Sequence, residues 1–316
     1  MGSVLVLGAG AVGSLFGARL AAAGESVLLV GRPAHVAAIR AHGLRVEGVD
    51  PGTFRLPALT QVARDAAPDE VLVTVKAYDL VDATTGLAKA VAPTPTALLG
   101  NGLGIEGVAA RALREAGWSH PEAVLVRAVQ TVPATFLGPG RVRATGTGEV
   151  VLPEPASAGA AGAAVETFVG LLRRGGFSVR TSPTFELELW RKVAVNAAIN
   201  PVTAIRRVPN GALLDGPPRQ EAELLLAEAV EVARRSGVDL TVDTARADFE
   251  RIVRSTAENR SSMLQDVDRG RPTELDAISG EILRRGGQVG LDLPATRKAI
   301  DDVRRALAAS PPSAQR

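Results

Sequence analysis

The stretch SVLVLGAGAVGSLFGARLAAAGESVLLVGR, residues 3–32, constrains the fold more than any other part of the chain. A short β-branched run, Val4 to Leu7, meets Gly8-Ala9-Gly10-Ala11-Val12-Gly13. An Ala/Leu-rich segment then runs as a helix to Gly24, and a second strand covers Ser26 to Val30. Strand, G-x-G-x-x-G, helix and strand in this order make the opening unit of a dinucleotide-binding α/β fold. Gly8 permits a tight turn, Gly10 lets the backbone approach a pyrophosphate, and Gly13 lets helix meet strand. The helix N-terminus then offers unpaired N–H groups to the phosphates.

The end of the second strand selects between cofactors. An acid there would bind the ribose 2′-hydroxyl of NAD and repel a 2′-phosphate. Gly31 and Arg32 stand there instead, and no acid is expected nearby, so NADP(H) is expected, with Arg32 forking onto the phosphate. Further on, EVLVTVKAYD reads as a buried parallel strand, Val71 to Val75, ending at Lys76. TALLGNGLG reads as another, ending at Asn101. Ligands of open α/β sheets sit at the carboxyl ends of strands, which places Lys76 near the adenosine phosphate and Asn101 near the nicotinamide. The glycines beside Asn101 are expected to leave backbone room for a ligand. GPGRVRATGTGEVVL alternates and turns like a β-hairpin, PEPASAGAAG is a small-residue connector, and a helix (164–174) and a strand (177–180) complete the first half.

Composition removes several classes of function. Lys+Arg 36 against Asp+Glu 34 nearly cancel and aromatics are 3%, which argues against a nucleic-acid partner. Cysteine is absent, so disulfides, thiolate ligands and a cysteine nucleophile are excluded. His35, His42 and His120 have no ligand spacing, and no metal site is expected. The glycine-broken N-terminus lacks the basic start of a signal peptide, and no apolar run reaches membrane-spanning length. A cytoplasmic protein without a membrane partner is the expectation; oligomeric state is left open, a homodimer among the options.

From Thr184 onward the chain reads as helices, with the boundary at Thr181-Ser182-Pro183. The expected domains are residues 1–182, a Rossmann-type doubly wound sheet (α/β), and 183–316, all-α, ending in the polar tail SPPSAQR. In ELWRKVAVNAAINP, residues 188–201, Glu188, Lys192, Asn196 and Asn200 recur every four residues and stack on one face of an otherwise apolar helix that Pro201 ends. ADFERIVRSTAENRSSMLQDV reads as one helix with Asn259, Ser262 and Asp266 on one face. Glu274 follows in the first turn of a new helix with Thr273 as its cap.

ELWRKVAVNAAINPVTAI, TAENRSSMLQD and RPTELDAISG, behind Gly8-x-Gly10-x-x-Gly13, strongly resemble ketopantoate reductase (2-dehydropantoate 2-reductase), in matching order from the first strand to about residue 300. The resemblance implies NADPH-dependent reduction of the 2-keto acid ketopantoate to pantoate, on the route to pantothenate and coenzyme A. It places the general-acid lysine on Lys192, a substrate-contacting carboxylate on Glu274, and substrate-site amides on Asn196 and Asn200. Asn259 and Ser262 match a substrate-binding pair, Asn101 the asparagine near the nicotinamide and the substrate, and Arg32 and Lys76 the NADP-selecting cations. The chain departs from many members at Gly100-Asn101-Gly102, where His-Asn-Gly is common, and at RAVQTVPATF, where some have a Thr/His-rich strand. Two alternatives stand beside this reading: a related reductase of another 2-keto acid, and a non-catalytic NADPH-binding sensor.

Overall fold

A computed structural model describes residues 2–155 and 159–309. The middle of the expected connector and the whole of the expected tail lie outside them. The chain divides into two compact units. The first runs to Gly100 and again over Ile105–Phe185; the second holds Asn101–Gly104 and everything from Glu186.

In the first unit the order is β1 (Ser3–Leu7), α1 (Ala11–Ala22), β2 (Ser26–Val30), α2 (Pro33–His42), β3 (Leu44–Gly48), β4 (Gly52–Phe54) and β5 (Ala58–Leu59). There follow β6 (Glu70–Val73), α3 (Leu80–Ala88), β7 (Thr96–Leu98), α4 (Ile105–Glu115), β8 (Leu125–Arg127), β9 (Val129–Gln130), β10 (Ala134–Gly138) and β11 (Arg141–Ala144). Last come β12 (Glu149–Pro153), α5 (Ala160–Arg174) and β13 (Ser178–Ser182). Six strands form a parallel sheet in the order β5-β2-β1-β6-β7-β8. The order reverses between β1 and β6, the switch point at which a Rossmann fold binds its ligand.

The sheet is apolar on both faces, as a parallel sheet covered by helices requires. Val4 and Val6 of β1 join one buried cluster with Leu15, Phe16 and Phe168, while Leu5 and Leu7 join another with Val71, Val73 and Leu113. That alternation is the two-residue period of a strand. Two smaller sheets follow, β10-β11-β3-β4 and β13-β12-β9. The expected hairpin is real only for β10 and β11; β12 leaves it to pair with β9 and β13. Two expected strands end early. β6 stops at Val73 and β7 at Leu98, so neither Lys76 nor Asn101 is on a strand.

The second unit is helical: α6 (Phe185–Arg206), α7 (Gly216–Arg235), α8 (Val242–Ser255), α9 (Ser262–Asp268), α10 (Glu281–Gln288) and α11 (Pro294–Ala308), with a π-helical turn at Asp276–Gly280. Pro201 lies inside α6 and does not end it. A proline removes one backbone donor, yet nearly all of the helix from Leu189 to Ala204 is buried, so packing outweighs that loss. The helix expected over 247–267 is two: the chain leaves α8 at Thr256 and restarts where Ser261 Oγ accepts from Leu264 N at 3.1 Å. Asn259 therefore does not share a helical face with Ser262 and Asp266. No helix among the described residues is long and apolar enough to cross a membrane.

One buried histidine ties α2 of the first unit to α1 and the hairpin. His35 Nδ1 accepts from Gly140 N–H at 2.9 Å, so its Nε2–H donates to Ser14 Oγ at 2.9 Å. Burial lowers its pKa from 6.5 to about 4. The unfolded chain thus takes up this proton near pH 6.5 and the folded one only near 4, so the stability it contributes is complete above pH 6.5 and drains away as pH falls toward 4. The loss amounts to about 3 kcal/mol, from roughly 1.4 kcal/mol per pH unit. Denaturant unfolding of the wild type and His35→Gln between pH 7.5 and 4 checks this: the variant's stability should fall less steeply, by nearly one proton, and parallel curves contradict it.

Candidate functional site

The first unit builds a cradle at the carboxyl ends of β1, β2 and β6. After Leu7 the chain turns at Gly8, with φ +111°, and Gly8 N and Ala9 N both donate to Val30 O, at 2.9 and 2.7 Å. Thr74 Oγ1 donates to Gly8 O at 2.8 Å and pins the turn from the β6 side. A Cβ at Gly13 would stand 2.3 Å from Thr74 Oγ1 and 2.4 Å from Gly8 O, so only glycine lets α1 begin there. At Gly10, which is exposed, nothing comes nearer than 3.9 Å, and the space above the backbone is open. Ala9 is buried, while Ala11 and Val12 are half-buried at the start of α1. The first turn of α1 has no acid and no side-chain cap, so its N–H groups are free to face an anion. These residues fit the diphosphate of a dinucleotide. Thr74 was not legible as a site residue; its one signal is being the first polar residue after an apolar run.

Arg32 is the N-cap residue of α2, with its side chain 65% exposed. Its Nη2 lies 3.4 Å from Asp79 Oδ2. The expectation that no acid stands near Arg32 therefore fails: Asp79, 47 residues on, is brought there by the turn after β6. Lys76 is half-buried at the head of the short 3₁₀ turn Ala77–Asp79.

The second unit gathers most of the remaining candidates. Along α6, Glu188, Lys192 and Asn196 are half-buried and Asn200 is buried, so their shared face is a polar seam rather than a solvated surface. Arg191 fixes the rotation of this helix: its Nε and Nη2 grip Asp248 of α8 at 2.7 and 2.9 Å. Burial opposes ionisation of Asp248, but Arg191 and Arg251 together hold its carboxyl below the usual range. Lys192, about 100° further round the helix, is thereby aimed elsewhere.

Asn101 and Glu274, 173 residues apart, meet directly: Asn101 Nδ2 donates to Glu274 Oε2 at 3.0 Å, and Glu274 is only 5% exposed. Beside them Leu103 N donates to Ala277 O at 3.0 Å. Gly102, at φ +103°, is pressed so close that a Cβ would lie 2.6 Å from Ala277 O. Gly102 thus makes room for the backbone at Ala277. Thr273 Oγ1 accepts from Leu275 N at 3.3 Å, ahead of the π-helical turn. Such turns are frequent at functional sites.

Asn259 is exposed on the 256–261 loop, and Ser262 is the exposed first residue of α9. Asn210, which sequence reasoning missed, holds this loop: its N donates to Asn259 O and its Nδ2 to Thr256 Oγ1, both at 2.9 Å. VPNG reads as an ordinary turn, so nothing local marks it. Thr203 Oγ1 donates to Ser261 Oγ at 2.7 Å and ties α6 to the start of α9. Among the described residues no group of His, Cys, Asp or Glu could hold a metal ion.

Gly102→Ala should loosen the Leu103–Ala277 contact, since both the backbone angle and the Ala277 carbonyl oppose a methyl group there. A strained site of this kind costs about 1–3 kcal/mol. Thermal melts should show the loss, and hydrogen exchange at the Leu103 amide should quicken by at least about tenfold; unchanged exchange contradicts the account.

The family described as ketopantoate reductase PanE/ApbA matches residues 4–157, and its C-terminal part matches residues 184–306. A 2-dehydropantoate 2-reductase of Archaeoglobus fulgidus is 34% identical over 302 residues, covering 95% of this chain and 96% of that protein. The crystal structure of a PanE/ApbA family ketopantoate reductase from Ralstonia eutropha JMP134 is 33% identical, with a TM-score of 0.85 over 97% of this chain and 98% of its own. A D-mandelate dehydrogenase solved with NADH and anilino(oxo)acetate is 25% identical, with a TM-score of 0.89 over 97% of this chain and 98% of its own.

Proposed function

This chain belongs to the ketopantoate reductase family, and we propose that it reduces 2-dehydropantoate (ketopantoate) to pantoate with NADPH, in pantothenate and coenzyme A synthesis. The observation that carries the reading is the contact between Asn101 and the buried Glu274, two positions widely separated in sequence that share one hydrogen bond. A buried carboxylate facing an amide is suited to hold a substrate hydroxyl.

A reduced nicotinamide supplies the hydride. Delivered to the C2 carbonyl carbon, it leaves an alkoxide on the former ketone oxygen. The Lys192 ammonium stabilises that charge, donates the proton that makes the alcohol, and regains one from water. Asn196 and Asn200, one and two turns further along α6, orient ligand and ammonium without adding charge to a site that binds an anion. Asn259 and Ser262 bind substrate, Ser262 at its carboxylate. Glu274 accepts a hydrogen bond from the terminal hydroxyl, oriented by Asn101. On the cofactor, the Gly8–Gly13 loop takes the diphosphate, and Arg32 and Lys76 favour the 2′-phosphate.

The D-mandelate dehydrogenase neighbour, bound to an aryl oxo-acid derivative, favours a second reading in which the substrate is another 2-keto acid. NADPH oxidation by the purified protein with ketopantoate, 3,3-dimethyl-2-oxobutanoate and benzoylformate decides between them. Ketopantoate should be the best substrate, by up to about 10⁴ in kcat/KM over its deoxy analogue, because the analogue leaves Glu274 without its partner. Glu274→Ala should shrink that preference mainly by slowing ketopantoate. An unchanged ratio would remove Glu274 from substrate recognition.

Lys192→Ala should lose about 10² to 10⁴ in kcat, the usual worth of a positioned proton donor. NADPH affinity, measured by fluorescence titration, should stay near the wild-type value. A folded variant with near-normal kcat would show that Lys192 is not the acid.

A further inference from the structure

We infer that Asp79 is a cofactor-selecting residue, a carboxylate set against Arg32 that lets the 2′-hydroxyl of NADH compete with the 2′-phosphate of NADPH. The inference rests on the proposed binding of the dinucleotide along the glycine loop, with its adenosine ribose at the ends of β2 and β6.

The sheet order puts β2 and β6 on either side of β1, so the segments leaving them flank the glycine loop. Arg32 follows β2 and Asp79 lies in the turn after β6; across that gap Arg32 Nη2 and Asp79 Oδ2 stand 3.4 Å apart. Aspartate at a helix N-cap ordinarily accepts from its own helix's N–H groups. Asp79 holds that position before α3, yet its side chain makes no cap hydrogen bond. Its carboxylate is turned to Arg32 instead, and the two side chains are 65% and 48% exposed, open to a ligand.

The chemistry follows from charge. A phosphate reaching Arg32 must displace Asp79 or lie beside it, meeting a like charge within a few ångströms. A ribose hydroxyl can instead donate to the same carboxylate, the contact that marks NAD enzymes. Arg32 and Asp79 thus pull in opposite directions, and their balance sets how strongly the protein distinguishes the two cofactors. Between exposed charges in water the penalty on the phosphate is modest, about three- to tenfold in affinity, and it shrinks with added salt.

Calorimetric titration of the full chain with NADPH and with NADH, at low and at moderate ionic strength, tests this. Asp79→Asn keeps an N-cap side chain while removing the charge, and Asp79→Ala controls for the amide. Both should tighten NADPH by roughly three- to tenfold at low salt and weaken NADH, while Arg32→Ala weakens NADPH alone. If Arg32→Ala moves NADPH as described and neither Asp79 variant alters the ratio, the cofactor site stands and the role of Asp79 is overturned. If none of the three variants alters the ratio, the assignment of the adenosine end itself fails, and this inference with it.

Discussion

The close approach of Gly13 to the carbonyl of Gly8 and the hydroxyl of Thr74 is the contact on which the first unit depends. Because Gly13 carries no Cβ, α1 can start against the end of β1 and carry Leu15 and Phe16 onto the sheet. The N-terminus of α1, which has no side-chain cap and no acid in its first turn, then lies beside the open space at Gly10.

In the second unit the comparable constraint is rotational. A helix that buries Trp190, Val193, Ala194 and Ala198 has few settings in which Glu188, Lys192 and Asn196 stay off the core. The bidentate Arg191–Asp248 pair holds the helix at that setting, since two parallel hydrogen bonds to a carboxylate fix direction as well as distance. Partly buried ion pairs of this type contribute little net stability; what they contribute is orientation. That setting turns Lys192 to a different side of the helix from Arg191.

Much of this was legible in the sequence, because it rests on short-range periodicity. The limits of β2, the glycine loop and the polar stripe of α6 are set by residues within a few positions of one another. What escaped reading depends on distant partners. Asp79 meets Arg32, Thr74 pins Gly8, Asn210 holds the 256–261 loop and Gly102 accommodates Ala277, and in each case the cause lies in another part of the fold. The misplaced ends have the same origin: Pro201 should stop a helix by local rules, but burial carries α6 through it to Arg206. The break after Ser255 was hidden because TAEN carries no glycine or proline, and Ser261 reveals itself as a cap only through its hydrogen bond to Leu264.

The π-helical turn at Asp276–Gly280 gives Glu274 a phase of its own. A π turn is an α-helix carrying one surplus residue, so what precedes it is rotated by about 100° relative to an uninterrupted helix. Downstream, Ile282 is buried against the unit's interior, and its setting is fixed by packing. Upstream, Glu274 must meet Asn101. The surplus residue of this turn contributes to the angle between the buried Ile282 and the Glu274 carboxylate.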